Sequence, residues 1–278
     1  MKKFIILLFA VFSLVANGQN LNRNSETPRM TPEMTEFYTP VPKVVTPGET
    51  VSDKILVQPP SDAIVLFDGT DLSQWEKAPA RDAYYTIDKN TNSFNFSTGI
   101  EAKWDVKDGV MTVNKREGDI QTKKSFGDFQ LHIEWRIPED IAGEGQARGN
   151  SGILIEGVYE LQVLDSYKNE TYVNGQAGSI YKQTAPLVNV MHSPGHWNTY
   201  DIIYTAPTFR EDGTFRTAPC ITVLQNGVLI QSNTIISGPT KYIGIPRPEL
   251  HGKGPIRLQA HGDRSKPISY RNIWIREL

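Results

Sequence analysis

The stretch GNSGILIEGVYELQVLD, residues 149 to 165, decides the fold class. In its second half Glu160 and Gln162 occupy every second position among Leu161, Val163 and Leu164. Side chains of a strand project alternately to its two faces, so Leu161 and Val163 point into a core while Glu160 and Gln162 point the other way together. The segment is a strand, and its polar face carries groups able to hold a ligand.

The same alternation, or a short β-branched run, recurs along the chain. It is found in AIVLF at 63 to 67, GVMTV at 109 to 113, FQLHIEWR at 129 to 136, WNTYDIIY at 197 to 204, ITVLQNGVLI at 221 to 230, PIRLQAH at 255 to 261 and ISYRNIWI at 268 to 275. No long helical periodicity interrupts them. Many short strands and few helices predict an all-β sandwich or barrel. Asn226-Gly227 between two of the runs predicts a tight hairpin, because both residues tolerate positive φ.

The first residues, MKKFIILLFAVFSLVANGQN, set Lys2 and Lys3 before an apolar run and small residues, the pattern of a secretory signal peptide cut after Gly18. That run is shorter than the roughly 20 residues a spanning helix needs, and no other stretch approaches it, so the expectation is an exported protein without a stable membrane anchor. Residues 19 to 61 are rich in Pro, Thr, Ser and charge, and read as an extended lead-in or linker. Residues 62 to 278 are then one β domain.

The net charge is -2, and loss of Lys2 and Lys3 takes it to -4. Without a basic patch, nucleic acid and anionic membrane are poor partners, and neutral ligands such as sugars fit better. The single cysteine, Cys220, cannot form an internal disulfide, so the fold rests on its core, with Cys220 expected as a small buried hydrophobe.

Three strands carry polar rows: His132, Glu134 and Arg136; Glu160 and Gln162; Arg257, Gln259 and His261. One side of an antiparallel sheet ordinarily faces water, which is the plain reading of each row. These rows, however, draw on Gln, His, Arg and Glu, which orient and protonate ligands. Carbohydrate recognition pairs such groups with aromatic platforms, for which Trp104, Trp197, Tyr159, Tyr181 and Tyr200 are available.

An ordered set of motifs then resembles the 3-keto-disaccharide hydrolase domain family. It comprises LFDGTDLSQW at 66 to 75, FGDFQLHIEWR at 126 to 136, GNSGI at 149 to 153, YELQVLD at 159 to 165, GSIYK at 178 to 182, HWNTYDI at 196 to 202, LQNGV at 224 to 228, and GPIRLQAHG followed by YRNIWI at 254 to 275. The resemblance spans residues 62 to 278. It implies a concanavalin A-like jelly-roll β-sandwich of two antiparallel sheets with a concave polar cleft. It also implies cleavage of an oligosaccharide or glycoside whose sugar is oxidised at C3.

That chemistry needs a base for the hydrogen on C2, an acid for the departing oxygen and a stabiliser for the enolate. Glu160 is a base candidate and His261 an acid or base candidate, while Glu134 can take either role or orient His261. The residues alone leave these assignments open. Arg148 can stabilise enolate charge, Asn150 flanks the Gly149 turn, and Gln162, Lys182 and Gln259 can hold hydroxyls or the keto oxygen. Trp104 and Tyr181 are the platforms assigned to substrate. Turn caps and surface ion pairs are the plain alternatives for Arg148, Asn150, Asp165 and Lys182.

No cofactor is required by these residues, although Glu134, Glu160, Asp165 and His261 could together hold a divalent ion. His192, His196 and His251 lie in loop-like stretches and read as structural or exposed. Three rivals stay open. A paired-carboxylate glycoside hydrolase would use Glu160 with Asp165, but Gln162 stands at the middle position and Asp165 needs a bulge to reach the same face. A non-catalytic carbohydrate-binding module would need the platforms but no base, and an envelope interaction protein would need neither.

Overall fold

Alternation along the strands is realised as two antiparallel sheets that share one core. The computed structural model describes residues 29–47, 56–80 and 97–278, with the backbone of two short strands at Ile87–Asp88 and Ser93–Phe94. The expected signal segment, residues 1 to 18, lies outside the described residues. In chain order the strands of the main sheets are β1 (Ile64–Phe67), β2 (Trp75–Lys77), β3 (Asp105–Lys107), β4 (Val110–Thr112), β5 (Ile120–Thr122), β6 (Phe129–Arg136) and β7 (Ser151–Ile155). There follow β8 (Tyr159–Val163), β9 (Trp197–Thr205), β10 (Cys220–Gln225), β11 (Val228–Ile235), β12 (Arg257–Leu258) and β13 (Ser269–Glu277).

The smaller sheet runs β8-β7-β12-β5-β2, and the larger runs β11-β10-β9-β6-β13-β4-β3, with β1 also on β13. Ile153, Leu161 and Leu258 of the smaller sheet join Leu131, Ile133 and Ile202 of the larger in one buried cluster. Burying each such side chain contributes roughly 1.5–3 kcal/mol. Two hydrogen bonds bind the sheets through this core: Ser151 Oγ with Tyr270 Oη at 2.9 Å, and Tyr200 Oη donating to the Gln162 carbonyl at 2.9 Å. The expected β-sandwich is therefore the fold. Among the described residues no helix is long and apolar enough to cross a membrane.

The hairpin between β10 and β11 closes through Asn226 and Gly227 at φ 52° and 76°, the left-handed pair that the Asn-Gly dipeptide predicts. Cys220 is half-buried rather than in the core, and its thiol donates to Asn233 Oδ1. It opens β10, where alternation no longer points it inward.

The three polar rows do not share a face. Those of Glu160 and Gln162 and of Arg257 and Gln259 lie on the outer face of the smaller sheet. Strand pairing runs one row across all five strands there: Glu160, Leu154, Arg257, Gln121 and Glu76. The row of His132, Glu134 and Arg136 lies on the outer face of the larger sheet, on the far side of the core. Glu134 is fully buried, ion-paired to Arg271 at 2.6 Å and bonded by Asn272 at 2.8 Å, with His132 Nε2 at 3.5 Å. His132 is held by Asp201 at 2.6 Å and stacks on Trp274. Burial alone would raise the Glu134 carboxyl, but the bonds from His132, Asn272 and Arg271 outweigh it and hold it low.

Glu134 therefore braces the larger sheet and does not orient His261. Alternation within a strand sets the parity of a residue and says nothing about which sheet the strand joins. Breaking a buried ion pair leaves its partner uncompensated, so Glu134→Gln should cost about 3 kcal/mol or more. A urea-unfolding midpoint reads that loss, while turnover per folded molecule stays at the wild-type value.

A second buried carboxyl sits in the turn between β7 and β8. Glu156 takes φ 51° there and accepts a hydrogen bond from Tyr204 Oη at 2.6 Å. Burial pushes its carboxyl up to about 8, against the pull of the Tyr204 bond. The folded chain thus keeps a proton that the unfolded chain releases near the ordinary value of 4.5. Its contribution to stability is complete below that value and is lost as the pH rises through about 8. Glu156→Gln keeps an acceptor for Tyr204 and removes the titration. Thermal unfolding of the variant should match the wild type in acid and exceed it in mild alkali.

Candidate active site

Glu160 is the second residue of β8, an outer strand of the smaller sheet, and its place is set by backbone pairing on both sides. On one side Leu154 of β7 is its direct partner. On the other, residues 178–184 run beside β8: Gln162 N donates to the Ser179 carbonyl at 2.9 Å, and Tyr181 N to the Glu160 carbonyl at 3.0 Å. The Glu160 amide donates to Thr240 Oγ1 at 2.9 Å. Tyr181 and Thr240 are thereby fixed beside the carboxylate strand.

The side chain of Glu160 leans over Gly152. A Cβ at that glycine would stand 2.5 Å from Glu160 Oε1 and 2.9 Å from its Cγ. Gly152 also accepts the Gln259 amide at 3.0 Å, which brings the chain leaving β12 alongside. The result is a cavity of about 310 Å³ lined by Asn150, Glu160, Tyr181, Thr240, Tyr242, Gln259 and His261. Of the residues expected from the sequence, Glu160, His261, Asn150, Gln259 and Tyr181 come together here.

His261 is oriented by Asp263, whose Oδ2 lies 2.7 Å from Nδ1. Asp263 also receives the Ser265 amide at 2.6 Å, the Ser265 hydroxyl, and Lys115 Nζ at 3.1 Å. Burial opposes ionisation of Asp263, but the bonds from His261, Ser265 and Lys115 prevail and hold it at about 2. A carboxylate that stays ionised can only accept, so Nδ1 of His261 carries the proton and Nε2 is left for exchange. The pair was not read from the sequence, although His261-Gly262-Asp263 was its signal.

Tyr181 is pushed up to about 12, first by burial and further by the charge of Glu160, while the bond with Tyr172 Oη pulls the other way. That bond is 2.7 Å long. Tyr181 accordingly keeps its phenolic proton near neutrality. Gln259 Oε1 is buried and has no hydrogen-bond partner among the described residues, an acceptor that a ligand hydroxyl would satisfy.

The other expected site residues are engaged elsewhere. Arg148 forms an ion pair with Asp165 at 2.6 Å and donates to the Tyr167 carbonyl, so both brace the corner after β8. Gln162 is fully buried, with Nε2 on Gln146 Oε1 at 3.0 Å. Lys182 is buried against a segment near the described N-terminus. Trp104 donates to the Gly118 carbonyl and stacks on Tyr270 within the core, so it is no platform. Tyr159 and Tyr200 are core residues as well, and Trp197 lies between Arg136 and Arg271. His251 lies in a loop, as expected, and is a buried structural residue with Nε2 2.6 Å from Tyr159 Oη.

Among the described residues, no three His, Cys, Asp or Glu side chains are grouped to hold a metal ion. The four residues considered for one divide between the cavity (Glu160, His261), the Arg148 corner (Asp165) and the larger sheet (Glu134). Thr240 and Tyr242 line the cavity from an irregular stretch without alternation, which hid them from sequence reading.

A family model described as the 3-keto-alpha-glucoside-1,2-lyase-like domain matches residues 62–276. The chain belongs to that family. It is 58% identical to a Parabacteroides distasonis protein of known crystal structure described as a candidate glycosyl hydrolase, covering 89% of this chain and 97% of that one with a TM-score of 0.72. A second candidate glycosyl hydrolase from the same organism shares the fold at 20% identity and a TM-score of 0.50, covering 78% and 94% of the two chains. No curated protein matches the chain. Family and first neighbour together make this a carbohydrate-active enzyme of glycoside hydrolase type.

Placement of the Glu160 carboxylate depends on the missing side chain at position 152. Gly152→Ala should shift the carboxylate by the width of a methyl group and cost about 1–3 kcal/mol through overpacking. Turnover should fall far more than this loss of stability explains, as activity measured well below the unfolding temperature will register.

Proposed function

We propose that the domain cleaves 3-keto-glycosides by removing the proton on C2 and expelling the substituent on C1. The observation that carries this reading is the cavity itself, which gathers one carboxylate, Glu160, with the His261–Asp263 pair and a protonated Tyr181. A ketone at C3 acidifies the C2 hydrogen. Glu160 takes that proton, and the C–H electrons form an enolate whose oxygen is the former ketone. Tyr181 donates a hydrogen bond to that oxygen, where preorganised donors act most strongly, while the Asn150 amide is held by Gln146.

Collapse of the enolate restores the ketone, forms the C1–C2 double bond and breaks the C1–O bond. His261 serves the departing oxygen when it enters as the imidazolium: Nδ1–H stays on Asp263, the Nε2 proton goes to the oxygen, and the ring is left neutral. Addition of water across the enone would complete net hydrolysis, whereas release of the enone makes the enzyme a lyase. Gln259 Oε1 accepts a sugar hydroxyl in this scheme. The signal-like residues 1 to 18 support an exported enzyme acting on glycosides outside the cytoplasm.

The paired-carboxylate alternative has less support. Asp165, its second carboxylate, is tied to Arg148, and Glu160 is the one carboxylate among the lining residues named above. Incubation with a 3-keto-glucoside and with its unoxidised parent tests the proposal by product mass and enone absorbance. Only the keto sugar should be cleaved, and Glu160→Gln should abolish turnover while binding persists. Cleavage of the parent sugar would overturn the elimination, and an active Glu160→Gln would overturn the base.

A further inference from the structure

Lys182 carries three observations that the cavity chemistry does not use. It takes a left-handed backbone conformation, φ 57°, unusual for a residue with a side chain. Its side chain is 1% exposed. Its three ammonium protons meet three acceptors: the Pro32 carbonyl at 2.9 Å, the Tyr242 carbonyl at 3.0 Å and Glu36 Oε1 at 3.1 Å. With all three donors engaged, the ammonium has none left for a substrate.

The acceptors come from two places far apart in the chain. Pro32 and Glu36 belong to a segment that forms one 3-10 turn, Pro32–Thr35, and then runs along the domain. Phe37 N donates to Asn174 Oδ1, Asn174 Nδ2 to the Thr35 carbonyl, and Val173 N to the Phe37 carbonyl. Lys43–Val44 continues as a parallel ladder on Val188–Asn189. Tyr242, by contrast, lines the cavity, and its ring lies 4.7 Å from the same ammonium. Tyr181, the chain neighbour of Lys182, lines it too. Tyr38 of the segment packs edge-on against Tyr172, which bonds Tyr181.

Two routes therefore run from this strap into the cavity wall: Glu36 to Lys182 to Tyr242, and Tyr38 to Tyr172 to Tyr181. We propose that Lys182 is a positioning residue and that residues 31 to 38 belong to the active site, holding Tyr181 and Tyr242 in place against Glu160. Strained backbone persists where its surroundings over-determine it, and the strap supplies that constraint at Lys182. The kinetic consequence rests on the reading of the cavity given above, but the positioning does not.

The test uses the full chain with Glu36→Gln, Lys182→Met and Lys182→Arg, reading amide hydrogen exchange at Tyr181 and Tyr242 beside kcat and KM on a 3-keto-glucoside. Both Glu36→Gln and Lys182→Met should speed exchange at Tyr181 and Tyr242 and leave the amides of β6 unchanged. Misplacement by about 1 Å can cost on the order of 100-fold, so kcat should fall by up to that factor for Lys182→Met. Lys182→Arg, which keeps the charge and several donors, should recover part of it.

Faster exchange confined to residues 31 to 38, with unchanged kinetics, would make the strap mere cladding and overturn the proposal. Loss of turnover without any change in exchange would return Lys182 to direct contact with substrate and overturn it as well. If Lys182→Met fails to fold, Glu36→Gln decides alone, since it leaves Lys182 in place. A wild-type enzyme inactive on every keto sugar would sink the chemical reading, and the exchange data would still judge the strap.

Discussion

The carboxylate of Glu160 occupies space that any side chain at position 152 would fill. Much of the cavity follows from that constraint. Because β7 presents bare backbone at Gly152, Glu160 can fold down over its neighbouring strand, and the Gln259 amide bonds the Gly152 carbonyl. Two residues further on, His261 reaches the same space. An edge position for β8 completes the arrangement, since its free side accepts residues 178–184 and so brings up Tyr181. Glycine here costs strand stability. The return is room for the carboxylate.

The carboxylate network of the larger sheet and the cavity of the smaller one differ in how their polar groups are bonded. On the larger sheet, buried Glu134, His132 and Arg271 join half-buried Asn272 and Asp201 in a network in which both carboxylate oxygens of Glu134 are bonded. Such a network stiffens a sheet and offers nothing to a ligand. On the smaller sheet, Gln259 Oε1 is buried beside the cavity without a described partner, a cost that persists where a ligand supplies the missing donor. Both faces look alike in sequence, each a strand with alternating polar residues.

That likeness explains how much could be read before the structure. Parity within a strand is local, so Glu160, Gln259 and His261 were legible as outward-facing groups, and the Asn226-Gly227 turn as a hairpin. Sheet membership is not local. The rows of Glu134 and Glu160 differ only in which side of the core their strands join, and a register learned from one strand cannot tell. Lys182 shows the same limit, since its anion, Glu36, lies in a Pro-rich stretch with no periodicity. Thr240 and Tyr242 come from an irregular segment bonded to Val158, Glu160 and Lys182, where side-chain direction follows no period at all. Asp263 alone was within reach, two residues from His261, as the acceptor an orienting pair requires.

The asymmetry of the cavity bears on the proposed chemistry. Displacement at a sugar's C1 by two carboxylates needs them on opposite sides of the scissile bond at a set separation. Elimination across C1 and C2 needs something different: one base at C2, a proton donor at the neighbouring oxygen, and neutral donors for a transient enolate. A second carboxylate near that enolate would oppose its charge. With Asp165 paired to Arg148 and Tyr181 holding its proton up to about 12, the groups around Glu160 are neutral donors and a histidine braced by an ionised Asp263. Under the proposed mechanism, the strap behind Tyr181 and Lys182 then matters for a physical reason: an oxyanion is stabilised by donors that do not move as charge appears.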